Sequence, residues 1–270
     1  MTATSPDTEQ PNTGRRHHHV TVSRLWAGAG VLWLGVWALL LWAAVGHHGG
    51  TALDSAAHHG AAHSHLTLSV SWVATLVMWA LMAVAMMAPT AVPMLQAYAD
   101  IRHGRSLEWW LFLGGYLAVW GGTASVMSAL QQLAHSTGWV TGEGASRSTT
   151  LTAVLLVIAG GYQLTDVKRR CLTQCSRPMT FLMRFWRDGA SGALRLGLRH
   201  GITCVGCCWA LMMLAFVGGV MNPWFMVGGS VLMVLEKLPA IQRRLTVPLG
   251  VVLLLAGVLT FVAGPGSGRL

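Results

Sequence analysis

From Gly201 to Val220 the chain runs without a charged side chain, and six further segments do the same: Leu25–Val45, Leu68–Ala88, Trp109–Gln131, Thr149–Leu164, Pro223–Leu235 and Thr246–Ala263. A helix needs about 20 apolar residues to cross a bilayer. Inside lipid the backbone must satisfy its own polar groups, which helices do within one segment. The ten-residue alternating segments of an outer-membrane barrel do not occur in the sequence. Composition agrees, since 10% of the residues are charged where a soluble domain carries about 25%. The expected fold is therefore all-α: a polytopic helix bundle of about seven spans filling residues 25–264 as one unit in the cell's inner (plasma) membrane. The fourth and sixth segments are the shortest, so six spans with one re-entrant piece is an open alternative.

The basic residues carry the topology. With the N-terminus inside, alternation places sixteen of the eighteen Lys and Arg on the cytoplasmic side and leaves only Arg147 and Arg269 outside, as the positive-inside rule requires of an N-in/C-out bundle. That distribution also accounts for the net charge of +9 without nucleic acid. Residues 1–24 read as a disordered cytoplasmic tail and 46–67 as an outer loop rich in histidine. Residues 165–200 read as a basic cytoplasmic loop holding a cysteine pair.

Sulfur is concentrated in three places. In "HGITCVGCCWALMMLAF", Cys204, Cys207 and Cys208 fall within five residues. At 100° per residue they cover one arc of a helix, which Met212 continues. In "MWALMAVAMMAPTAVPM", Met78, Met82 and Met86 are four apart and share a helical stripe, with Met87 beside them. Pro89 and Pro93 follow, and each removes a backbone donor and bends or ends a helix. In "TDVKRRCLTQCSRP", Cys171 and Cys175 are four apart, so both face one way if the helix runs to about Ser176. Thiolate and thioether are soft donors that select Cu(I), or zinc where thiolates dominate. Against this stands ordinary packing, since Met and free Cys are both common core residues.

Harder ligands are more scattered. Glu236 ends the sixth segment, where it would neutralise a cation or pair with a base such as Arg199. His200 precedes the cysteines and would complete a zinc site with three thiolates. His58, His59, His63 and His65 lie in the outer loop, where imidazole suits Cu(II) or Zn(II). There is no GxxxxGK[ST], no HExxH and no Ser–His–Asp arrangement.

The stretches Met78–Met94, Asp166–Pro178, His200–Asn222 and Glu236–Lys237 resemble, in order, the bacterial predicted metal-binding integral membrane protein family, one member of which is associated with a bacterial tyrosinase as its copper chaperone. The resemblance covers residues 78 to 237 and leaves out the tail and the histidine loop. It implies copper handling and a copper-dependent oxidase or other metal acceptor as partner, beside the lipid bilayer. It assigns no ligands residue by residue.

The expected function is that of a membrane copper-binding chaperone, not an enzyme, that passes Cu(I) to a target. Its central ligands would be Cys204, Cys207, Cys208, Met212, Met82, Met86 and Met87, with Cys171 and Cys175 at the cytoplasmic mouth and Glu236 and His200 as accessories. Zinc is the rival metal. The other readings are a metal-ion transporter and a thiol–disulfide oxidoreductase using Cys204 and Cys207 as a C-x-x-C pair.

Overall fold

The computed structural model describes residue 35 and residues 64–102, 106–142, 144–220, 222–239 and 241–264. The tail 1–24, the first apolar segment apart from Gly35, and most of the histidine loop with His58, His59 and His63 lie outside the described residues. His65 falls on a described backbone without a described side chain.

Among the described residues the fold is all-helical, apart from one bridge between Val140 and Ser146. The helices are α1 (Ser64–Arg102), α2 (Ser106–Ser136), α3 (Thr149–Gln163), α4 (Asp166–Ser176), α5 (Pro178–Phe185), α6 (Ala190–Met213), α7 (Ala215–Gly218), α8 (Pro223–Lys237) and α9 (Gln242–Ala263). Their starts follow local chemistry. Ser148, Thr165 and Asn222 each accept a hydrogen bond from a backbone N–H of the first turn of α3, α4 and α8, satisfying donors that a helix N-terminus leaves without a partner.

Two helical runs bend sharply. In α1 the axis turns by 67° between Trp72–Met87 and Ala91–Ile101, where Pro89 interrupts the ladder of N–H donors. Between α3 and α4 the axis turns by 64° at Leu164 and the capping Thr165. The helix carrying both Cys171 and Cys175 does end at Ser176, and Pro178 opens α5 as its first residue.

Leu107–Ser136, Ala190–Gly218 and Gln242–Ala263 are long and apolar enough to cross a membrane, and the two bent pairs raise the number to five. The count among the described residues is thus three to five where the sequence suggested about seven. The first expected span is outside the described residues. The sixth is α8, whose 15 residues reach only about 22 Å at 1.5 Å per residue, short of the ~30 Å hydrocarbon core. Leu255, Val258, Leu259, Phe261 and Val262 of α9 all stand exposed on the outside of the fold.

The inner structure is set by close helix approach. α2 lies along α6 and α9 along α3, while α1 packs on α2 and α8, and α4 on α6. Trp79 donates to Gln131 at 2.7 Å and Gln132 to Thr75 at 3.1 Å, tying α1 to α2. A Cβ at Gly197 would stand 2.0 Å from the carbonyl oxygen of Phe112, so α6 touches α2 backbone to backbone there. Gly115 and Gly160 make such contacts as well, whereas their neighbours Gly114 and Gly161 have nothing described within 4 Å of an added Cβ.

Gly197→Ala is accordingly expected to lower the thermal midpoint of the purified protein, at a cost of about 1–3 kcal/mol from forced overpacking. Gly114→Ala, which meets nothing within 4 Å, should leave the midpoint unchanged or raise it, because Ala is the better helix former.

Candidate metal centre

The apolar core gathers the sulfur. Met82, Met86 and Met87 of α1, Cys204, Cys207, Cys208 and Met212 of α6 and Met233 of α8 are all buried in one cluster, and Cys171 and Cys175 of α4 pack against it. Within that cluster the side chains divide into distinct groups.

The first group is a thiol triad. The sulfurs of Cys175, Cys204 and Cys207 lie within 4.8 Å of one another. Cys204 and Cys207 are buried, and Cys175 is half-buried with its sulfur turned into the triad. Three sulfurs held ~2.3 Å from a common ion stand roughly 3.8–4.0 Å apart, so small side-chain adjustments would bring all three onto one metal. Met87 supplies a fourth soft atom, its Sδ 3.9 Å from Cys204 Sγ. The Nζ of Lys237, the last residue of α8, lies 3.4 Å from Cys204 Sγ and 3.6 Å from Met87 Sδ. An ammonium there offsets the negative charge of thiolates that water cannot reach. The Tyr116 hydroxyl approaches Cys204 Sγ at 3.7 Å.

Helix geometry explains which sulfurs join. Cys204 and Cys207 are three apart on one face of α6, and Cys175 comes to them from α4. Cys208, 100° further round from Cys207, hydrogen-bonds the Cys204 carbonyl at 3.1 Å and is not one of the three. Cys207 also donates to that carbonyl, at 3.0 Å. Met86 and Met87 are adjacent and so point apart. Met82, Met86 and Met212 turn to a separate cavity between α1, α6 and α8.

Cys171 stands apart from the triad. It packs on Gly206, where an added Cβ would be 3.0 Å from its sulfur, and it borders an open cavity of about 830 Å³ lined also by Arg184, Arg187, Arg195 and Arg199. The Tyr162 hydroxyl donates to the Gly206 carbonyl and fixes this part of α6. The cavity wall therefore brings together a thiol, several guanidiniums and Gly206, the chain neighbour of Cys207.

His200 is buried among aromatic rings, 5.3 Å from Tyr116 and 5.6 Å from Phe181 between centroids. Among the described residues neither ring nitrogen has a hydrogen-bond partner, an uncommon condition for a buried polar group. It is not within the 4.8 Å thiol grouping. Glu236 does not meet Arg199. It forms an ion pair with Lys168 of α4 at 2.7 Å, both side chains nearly inaccessible, while the Arg199 guanidinium sits 3.6 Å above the Phe185 ring. Sequence reasoning gave no role to Tyr116, and it read Lys168 only as one of the basic residues flanking Cys171 and Cys175. Lys237 had a trace, as the residue after Glu236 in a matched pair, but nothing in the sequence joined it to a cysteine thirty-three positions away.

The profile described as "PpoB2: Copper chaperone" matches residues 76–260, more than half of the chain and all of the groups above. No curated protein and no solved structure matches.

Proposed function

As the chain belongs to the PpoB2 copper chaperone family, we propose that it is an integral membrane protein that holds Cu(I) on Cys175, Cys204 and Cys207, with Met87 as a fourth soft neighbour, and passes it to a copper-requiring acceptor protein. The observation that carries this reading is the convergence of three thiols from two helices within 4.8 Å, with a thioether and an ammonium beside them. A donor set of sulfur alone suits Cu(I). The ammonium suits it too, because three thiolates and one monovalent ion leave an excess of negative charge.

The ion is cargo, and it moves by exchange of sulfur ligands without change of oxidation state. The cavity beside Cys171 is the mouth at which exchange begins: a carrier thiolate is drawn by the arginines and yields its ion first to Cys171, then to the triad. The outward apolar face of α9 and the three to five span-length helices support insertion in a bilayer, with the basic end of α4 and α6 on the cytoplasmic side as the charge distribution argues.

Zinc remains the competing cargo because of one observation, the His200 imidazole whose two nitrogens are without hydrogen-bond partners among the described residues. A tetrahedral zinc site wants four ligands of nitrogen or sulfur, and a rotated His200 would be the fourth. Metal analysis decides between them. Protein purified without chelator and titrated anaerobically with Cu(I) and with Zn(II) against competing chelators is expected to bind Cu(I) tightly and to lose it in the C175S/C204S/C207S variant. Unchanged Cu(I) affinity in that variant removes the assignment. Preference for zinc that depends on His200 replaces it.

A further inference from the structure

The triad leaves most of the methionine of the core unused, and that methionine is not distributed as filler. Met82 and Met86 of α1, Met212 of α6 and Met226 and Met233 of α8 together line one small cavity of about 20 Å³. Four of the five are buried, and Met226 is half-buried. The rest of the lining is apolar.

Methionine is flexible and polarisable, and its ordinary use in a core is to flow into gaps. Here five flexible side chains from three helices surround a gap and do not close it. Gly229 helps to keep it open, since a Cβ at that position would stand 3.5 Å from the Met86 methyl. The space is of the size that one small particle requires, about 10–15 Å³ or more for a water, but a water needs polar partners and no side chain of the wall offers a nitrogen or oxygen. Thioether sulfur, by contrast, is a ligand for a soft monovalent ion. A neutral, dry pocket has nothing to compensate a divalent charge, so it discriminates against Zn(II) by desolvation alone.

We propose that these five methionines form a second, all-thioether Cu(I) site, adjoining the thiol triad and filled after it. The reading rests on copper as the cargo. The two sites are joined by chain geometry: Met86 and Met87 are neighbours, one facing each site, and Met212 lies one helical turn beyond Cys208 and two beyond Cys204. An ion leaving the triad breaks its copper–thiolate bonds as copper–thioether bonds form, and it remains Cu(I). Having only neutral ligands, the second site holds the ion less tightly than the first, which is what an onward station requires.

The test uses the wild-type chain in detergent, labelled with ¹³C in the methionine methyl groups, with Ag(I) as a redox-inert stand-in for Cu(I). Methyl signals are assigned by single Met→Leu substitutions, which conserve volume. The first equivalent of Ag(I) is expected to block thiol alkylation at the triad and to move the Met87 methyl. The second is expected to move the methyls of Met82, Met86, Met212, Met226 and Met233. In the M82L/M212L/M233L variant the capacity should fall from two ions to one, the first ion binding within about threefold of the wild-type affinity. Methyls in the cavity that stay unmoved through the second equivalent overturn the proposal whatever the thiols do. If those methyls shift while the triad remains open to alkylation, the thioether site stands and the thiol assignment falls.

Discussion

Cys204→Ser lowers Cu(I) affinity by at least about a thousandfold, some 4 kcal/mol, whereas Cys208→Ser leaves it within about threefold. The contrast follows from position. Cys204 is the sulfur with the most contacts in the centre: it belongs to the triad with Cys175 and Cys207, it lies 3.9 Å from Met87, and it lies 3.4 Å from the Lys237 ammonium. Serine keeps the size and offers a hard oxygen that Cu(I) does not favour, so the ion loses a principal ligand and Lys237 loses the thiolate it balances. Cys208 spends its S–H on the Cys204 carbonyl, a bond that a serine hydroxyl would make as well. Competition with a Cu(I) chelator under anaerobic conditions reads both variants. Equal losses at the two positions would mean that the ion sits across all three cysteines of α6, and the triad with Cys175 would be wrong.

What the sequence disclosed here is a matter of distance along the chain. Groupings within one helix were open to inspection. The arc of Cys204, Cys207 and Cys208, the Met82–Met86 stripe and the Cys171–Cys175 pair all follow from 100° per residue, and all lie on described helices. Which member of each group turns to which neighbour was not, because it depends on rotations of roughly 100° fixed only when helices pack. Met86 and Met87 thus part company, as do Cys207 and Cys208. Partners set wholly by tertiary contact were not legible: Glu236 reads as a charge in want of a base, but its base is Lys168, 68 positions away, and Gly197 reads as one glycine among many until the Phe112 carbonyl is found against it. The number of spans among the described residues differs from the expected one for a related reason. Apolar length measures what a segment would do alone in lipid, and it does not register that α3 turns by 64° into α4 or that α8 stops after 15 residues at a buried carboxylate.

Lys168→Met should be the most destabilising single substitution outside the centre, costing roughly 3–5 kcal/mol. Lys168 and Glu236 are 1% and 2% exposed and 2.7 Å apart, so neither charge has water to fall back on. Removing the lysine leaves a buried carboxylate whose second oxygen already has no hydrogen-bond partner among the described residues. The K168M/E236L double variant should regain most of that loss, since replacing both members of a buried pair with apolar groups is often neutral or stabilising. The pair also does geometric work. Lys168 lies seven residues, two turns, before Cys175 on α4, and Glu236 immediately precedes Lys237 on α8. It therefore fixes the helix that bears one thiol of the triad against the helix that bears its balancing charge. The double variant is expected to unfold near the wild-type temperature yet to bind Cu(I) about 10–100-fold more weakly, the usual scale for losing a supporting interaction around a metal. Thermal unfolding in detergent, followed by Cu(I) competition on the same samples, measures the two effects separately. A double variant as unstable as the single one would show that Lys168 contributes by packing and not by charge, and wild-type affinity in a stable double variant would show that α4 and α8 hold their places without it.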